Sequence, residues 1–110
     1  MVEVGEVQLV KRSKLRTYQK YIDNPHLIEL HKAGDFFKSV FEDIKKNGIT
    51  NPLVVAPEHD FFRIKLGNNR YLAAQELDLD PLPCIIGDYD RFRLREIKKQ
   101  CYTKTVGDNW

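Results

Sequence analysis

Apolar residues recur at helical spacing in one stretch of the chain and at strand spacing in others, and these stretches set most of the predicted layout. Phe36, Val40 and Ile44 are spaced i, i+4, i+8, with Phe37 and Phe41 on the same stripe, while Lys38, Glu42, Asp43, Lys45 and Lys46 fill the other side. This predicts a helix over Phe36 to Asn47, capped by Asp35. Two lysines in its last turn suit the negative end of the dipole, and Asn47-Gly48 stops it. After Asn51-Pro52, the β-branched run Leu53-Val54-Val55-Ala56 reads as a buried strand closed by Pro57. Glu58-His59-Asp60 then turns the chain into Phe61–Leu66, where Phe62, Ile64 and Leu66 alternate with Phe61, Arg63 and Lys65. The pair predicts a hairpin.

Gly67-Asn68-Asn69 breaks the alternation, and Ala73, Ala74 and Leu77 predict a short helix over Arg70 to Leu77. Leu79 to Pro83 reads as a loop, Pro83 to Ile86 as a strand, and Arg91 to Gln100 as a last helix with Leu94 and Ile97 on its apolar side. Val7 to Val10 alternates weakly and predicts a first strand. Residues 21–35 carry turn signals at Asn24-Pro25 and Gly34-Asp35 and receive no element. The fold class is therefore mixed α/β (α+β), a small mixed sheet with flanking helices.

A length of 110 residues fits one domain over 1–110, and 42% hydrophobic with 31% charged residues argues against disorder. The formal charge is only +2, yet the bases are unevenly placed. Lys11, Arg12, Lys14, Arg16 and Lys20 share a block without an acid, and Arg91, Arg93, Arg95, Lys98 and Lys99 form a second cluster. They suit solvated faces and an anionic partner equally well. Cys84 and Cys101 are too few for a disulfide framework and not spaced for a metal, and Cys84 reads as a core residue. The acidic N-terminal stretch is unlike a signal peptide and no run is long enough to cross a membrane, so a cytoplasmic protein is expected.

One segment combines a strand end, a tight turn and a helix start: Leu66-Gly67-Asn68-Asn69-Arg70. The first N–H groups of a helix lack internal partners and lie at its positive end, which suits a phosphate or carboxylate. Gly67 permits close approach or a positive φ, Asn68 and Asn69 can cap or donate, and Arg70 can present a planar fork to an anion. Arg63 and Lys65 add positive potential. A Gly-Asn turn is also ordinary turn chemistry, so the local pattern leaves both readings open.

The order of these pieces carries a resemblance. Gly48-Ile49-Thr50-Asn51-Pro52-Leu53-Val54-Val55, then the hairpin, then Gly67-Asn68-Asn69-Arg70-Tyr71-Leu72-Ala73-Ala74 resembles the N-terminal domain of the ParB/sulfiredoxin-like superfamily. The likeness covers roughly residues 36–87, from the helix before Gly48 to the proline-led strand Leu82–Ile86. It implies that Gly67 and Arg70 occupy the family's phosphate-binding Gly-x-x-Arg turn. Gly48, Asn51 and Pro52 then belong to the loop lining the nucleotide pocket. The nucleotide it implies is CTP or ATP/ADP with magnesium. No structural metal is expected, and a homodimer is a candidate assembly.

Two departures narrow this expectation. Asn68 stands where sulfiredoxins carry their catalytic cysteine, so sulfinic acid reduction is not expected. Asn68-Asn69 also replaces the Glu-Arg of the partition proteins, and their third box has no match after Ile86. Magnesium coordination and clamp closure lose support, and the DNA-reading helix-turn-helix of those proteins is expected to lie outside this chain.

His26 and His31 are poorly spaced for a metal, and His59 lies in a turn. Asp78, Asp80, Asp88 and Asp90 are either ion ligands or loop residues. Phe61, Tyr71, Tyr89 and Phe92 are candidates for base stacking or for core. The leading expectation is a ParB N-terminal-like domain that binds a nucleotide or a nucleic-acid phosphate at Gly67–Arg70, with the Gly48–Pro52 loop as opposite wall. One rival is a DNA-binding or nuclease-like accessory protein, of the kind phages and mobile elements carry, that uses Lys11, Arg12, Lys14, Arg16, Arg91, Arg93 and Arg95. Another is a kinase-like enzyme with Glu76 or Asp88 as base, and a third is an interaction module with a vestigial pocket.

Overall fold

The most apolar strand sits in the middle of the sheet because it needs neighbours on both sides. In the computed structural model, which describes residues 6–102 and side chains to residue 97, that strand is β3 (Leu53–Glu58), with Leu53 to Ala56 buried. It pairs antiparallel with β4 (Phe61–Leu66) and parallel with β5 (Leu82–Ile86). β1 (Val7–Val10) joins β5 antiparallel and β2 (Leu15–Arg16) joins β4 parallel, giving the order β1-β5-β3-β4-β2. The mixed α+β class holds.

Pro57 does not close β3, which runs on to Glu58. Pairing with β5 ends at Val55, so beyond that residue one edge of β3 is open, and the missing proline N–H interrupts no ladder there.

The helices are α1 (Gln19–Asp23), α2 (His26–Lys32), α3 (Asp35–Asn47), α4 (Asn68–Glu76) and α5 (Arg91–Tyr102). The stretch left without an element thus holds much of α1 and all of α2. α3 begins one residue early: Gly34 takes the cap position and Asp35 supplies the first-turn acid. Its buried stripe is Phe37, Val40 and Ile44, and Phe36 is left exposed. α4 also begins early, at Asn68, with Gly67 as its cap.

Alternate strand residues feed two cores. Leu53, Val55, Ile64 and Cys84 pack with α3 and α4, whereas Val54 and Ile85 meet Ile97 of α5 on the other face. A register shift between Val54 and Val55 breaks the alternation of β4, so Leu66 packs with the α5 core and not with Ile64 as the pattern predicted. Cys84 is a core residue, its thiol pushed up to about 12 by burial against the opposing charge of Arg70. The side chains of Lys98, Lys99 and Cys101 lie outside the described residues. Among the described residues no helix is long and apolar enough to cross a membrane.

Candidate functional site

Gly67 makes the corner between β4 and α4 with φ +105°, a conformation that L side chains rarely adopt. A Cβ there would lie 2.8 Å from Leu53 Cγ and 3.1 Å from the Arg70 guanidinium, so both backbone and space require glycine. Gly48, the C-cap of α3 at φ +74°, needs glycine for the backbone alone, since a Cβ there meets nothing within 4 Å.

The space beside Gly67 is filled by Arg70. Its side chain is fully buried, and Nη1 donates to the carbonyl oxygens of Asn51 at 2.8 Å and Pro52 at 2.7 Å. One side chain therefore ties the two sequence boxes together, and its charge lies beneath the turn. This corrects the expectation of a fork held out to an anion. The expected wall changes too, because Asn51 and Pro52 are held under the turn by Arg70.

Asn68 and Asn69 are the first helical residues and not caps. Their side-chain oxygens are engaged across the site, that of Asn68 by the Thr17 hydroxyl and that of Asn69 by Nε2 of His31. Thr17 is itself fixed, since Arg63 Nη1 donates to its carbonyl at 2.5 Å while Arg63 binds both oxygens of Glu58 at 3.1 and 3.2 Å. The Glu58 carboxyl is held below the usual range, first by that hydrogen bond and against its desolvation.

These contacts leave a pocket of about 240 Å³ with Gly67, Asn68 and Asn69 on one side and Tyr18, Tyr21 and His31 on the other. Lys65 and Leu66 complete it. Tyr18 and Tyr21 have ring centroids 5.8 Å apart, and Tyr21 lies 6.0 Å from His31. Lys20 Nζ sits 5.5 and 5.3 Å from the two tyrosine centroids. Sequence reasoning missed this aromatic wall. The signal available was the interleaving of Tyr18, Lys20 and Tyr21 at the end of the basic block.

The other candidates fall in several places. Arg12 is a strut: its N–H donates to Asp80 at 2.8 Å, Nη1 to the carbonyls of Ala74 at 3.2 Å and Leu79 at 3.0 Å, and Nη2 to Asp78 at 3.2 Å. It closes the far end of α4. Lys11 and Lys14 are exposed, and exposed Arg16 lies over Phe61 at 5.5 Å. Arg91, Arg93 and Arg95 are exposed on α5, which packs against the sheet face opposite α3 and α4.

Tyr71 is buried in the main core, its hydroxyl pushed up by burial, and Tyr89 packs against the α5 core, so neither is a stacking platform. Phe92 is exposed. Glu76 pairs with Lys32 at 2.5 Å at the C-terminal end of α4, about 12 Å along the helix from Asn68 and out of reach as a base there. Asp88 is exposed beyond β5. Among the described residues no group of three or more His, Cys, Asp or Glu could hold a metal ion.

Comparison with known proteins shows the family and the fold. The family profile described as ParB N-terminal domain matches residues 3–99. The chromosome-partitioning protein Spo0J of Thermus thermophilus is 29% identical over 65 residues, covering 59% of this chain and 24% of that protein. The C-terminally truncated chromosome-partitioning protein ParB of Caulobacter crescentus, solved with CTP-γ-S, superposes with a TM-score of 0.60 at 19% identity, covering 86% of this chain and 51% of that one. Sulfiredoxin of Arabidopsis thaliana superposes with a TM-score of 0.54 at 21% identity, covering 82% and 93%. The chain thus spans about a quarter of Spo0J and half of the solved ParB.

Proposed function

We propose that this chain, which belongs to the ParB N-terminal domain family, binds a nucleotide or a nucleic-acid phosphate where β4 turns into α4. The observation that carries the reading is the pocket of about 240 Å³ in which a helix N-terminus faces two tyrosines and a histidine. The backbone N–H groups after Gly67 and the positive end of α4 take the phosphate oxygens. The ammonium of Lys65 neutralises charge at the same mouth. Tyr18 and Tyr21 offer faces to a base or sugar. Arg70 is a positioning residue, holding the Asn51–Pro52 loop and contributing positive potential from below.

The Caulobacter relative solved with CTP-γ-S supports a nucleotide as ligand. A magnesium ion fits the described residues poorly. Asn68 and Asn69 supply neutral oxygens already bonded to Thr17 and His31, and no carboxylate lines the pocket. Nor does Glu76, at the other end of α4, supply a base for phosphoryl transfer.

Calorimetric titration with CTP, ATP, ADP and GTP, each with and without magnesium, tests the reading. The expected result is saturable binding that Lys65→Gln weakens by about 1.5 kcal/mol, roughly ten-fold. No heat with any of these ligands or with inorganic phosphate contradicts it.

A further inference from the structure

The pocket does not stand alone. Phe61 and Arg63 precede Lys65 on β4, and Arg16 pairs with Arg63 from β2. The Phe61 ring carries two guanidinium groups, Arg16 at 5.5 Å and Arg63 at 5.2 Å. Arg63 reaches from that ring to the Thr17 carbonyl, and Thr17 reaches Asn68. The contacts run from Phe61 through Arg63 and Thr17 to Asn68, and Tyr18, Lys20 and Tyr21 follow Thr17 in the chain as a cluster of their own. From Phe61 to Gly67 the strand alone spans about 20 Å.

Two features of the strip exceed the needs of a free nucleotide. The pocket, at about 240 Å³, is smaller than the roughly 300–1,000 Å³ usual for sites that enclose a whole small ligand. Its charge also extends beyond its mouth. Among the described residues Arg16, Lys20 and Lys65 have no ion pair, whereas Arg63 is neutralised by Glu58. Tyr18 is exposed, Tyr21 and Phe61 are half-buried, and cations stand beside each ring. Charges interleaved with aromatic rings suit a single strand of nucleic acid, phosphates on the charges and bases on or beside the rings. A duplex keeps its bases stacked and offers such rings nothing to hold.

We propose that the strip from Phe61 to Gly67 binds single-stranded nucleic acid, one nucleotide seated in the pocket and its neighbours lying across Lys20, Arg16 and Phe61. The inference rests on the phosphate reading of the pocket, but its outer residues lie outside that pocket. Three cations on the track give a salt dependence of log K on log salt with slope near −2.

The test is fluorescence anisotropy with labelled oligothymidylate, oligouridylate and a duplex of equal length, beside calorimetry with CTP and ATP. Expected is binding of a single strand more tightly than the duplex. The thymidylate and uridylate arms tell DNA from RNA. Phe61→Ala should cut single-strand affinity at least about five-fold, the low end of one lost base stack. Arg16→Gln, an exposed change that needs no refolding of the core, should flatten the salt slope by about 0.7, and neither it nor Phe61→Ala should alter affinity for a free nucleotide. Nucleotide binding with no tighter binding of single strands overturns the inference and leaves the pocket reading standing. Single-strand binding indifferent to both outer substitutions, or no stronger than duplex binding, also overturns it. No binding of either ligand removes both.

Discussion

α4 and α5 both follow a strand, and both bring arginines near the start of a helix, yet their N-termini are finished differently. At α5 the Asp90 carboxylate accepts the Arg93 N–H at 2.8 Å, with the Arg93 guanidinium 4.0 Å away. The chain itself supplies the anion for that helix end. At α4 the cap position is Gly67, which has no side chain to offer. The arginine of α4 is buried beneath the turn and that of α5 is exposed, the reverse of what an arginine-led anion site requires. Under the proposed reading the start of α4 is set apart by a glycine cap facing a concave wall, not by the presence of arginine beside it.

The largest expected effect comes from giving the α4 corner a side chain. Gly67→Ala must bear a positive φ and a Cβ 2.8 Å from Leu53, and should cost about 2–4 kcal/mol by chemical denaturation, with loss of nucleotide binding. Arg70→Met ranks next. It withdraws the donor from the Asn51 and Pro52 carbonyls, for an expected loss of about 2–3 kcal/mol in stability, and weakened binding should accompany the freed loop. A variant of unchanged stability would break the account of Arg70 as a strut.

Asp90→Ala sharpens the contrast from the other side. Losing the cap of α5 should cost about 1 kcal/mol, with no change in nucleotide affinity.

Why some of this was legible in the sequence follows from the range of the interactions. α3 and the β3–β4 hairpin are set by local periodicity, and the Gly67 corner by a residue whose backbone freedom has a local signature. α1 and α2 are short, five and seven residues without a buried side chain, and so lack a periodic stripe. The aromatic wall exists only because the fold carries Tyr18, Tyr21 and His31 to residues about forty or fifty positions later in the chain, as the Thr17–Asn68 and His31–Asn69 contacts show. Whether an arginine turns inward is decided by distant acceptors. For Arg70 these are the carbonyls before β3, and for Arg12 those at the end of α4, so residue type alone did not show where either side chain lies.

The smallest expected effect concerns Glu58, which steadies Arg63 and through it the Thr17 side of the pocket. Its carboxyl is depressed below the ordinary 4.5, so its contribution to stability is complete above that value and is lost as pH falls through the lower, folded-state value. Glu58→Gln should therefore reduce thermal stability slightly at neutral pH, and the difference from the parent protein should shrink under acid.

The most direct test of the contrast between the two helix starts is a set of amide chemical shifts recorded while CTP or ADP is added to the isotopically labelled protein. Movement of the Gly67 and Asn68 amides, with Arg91 to Arg93 unmoved, is the predicted result. Saturable shifts at the start of α5, with those after β4 unchanged, would contradict it.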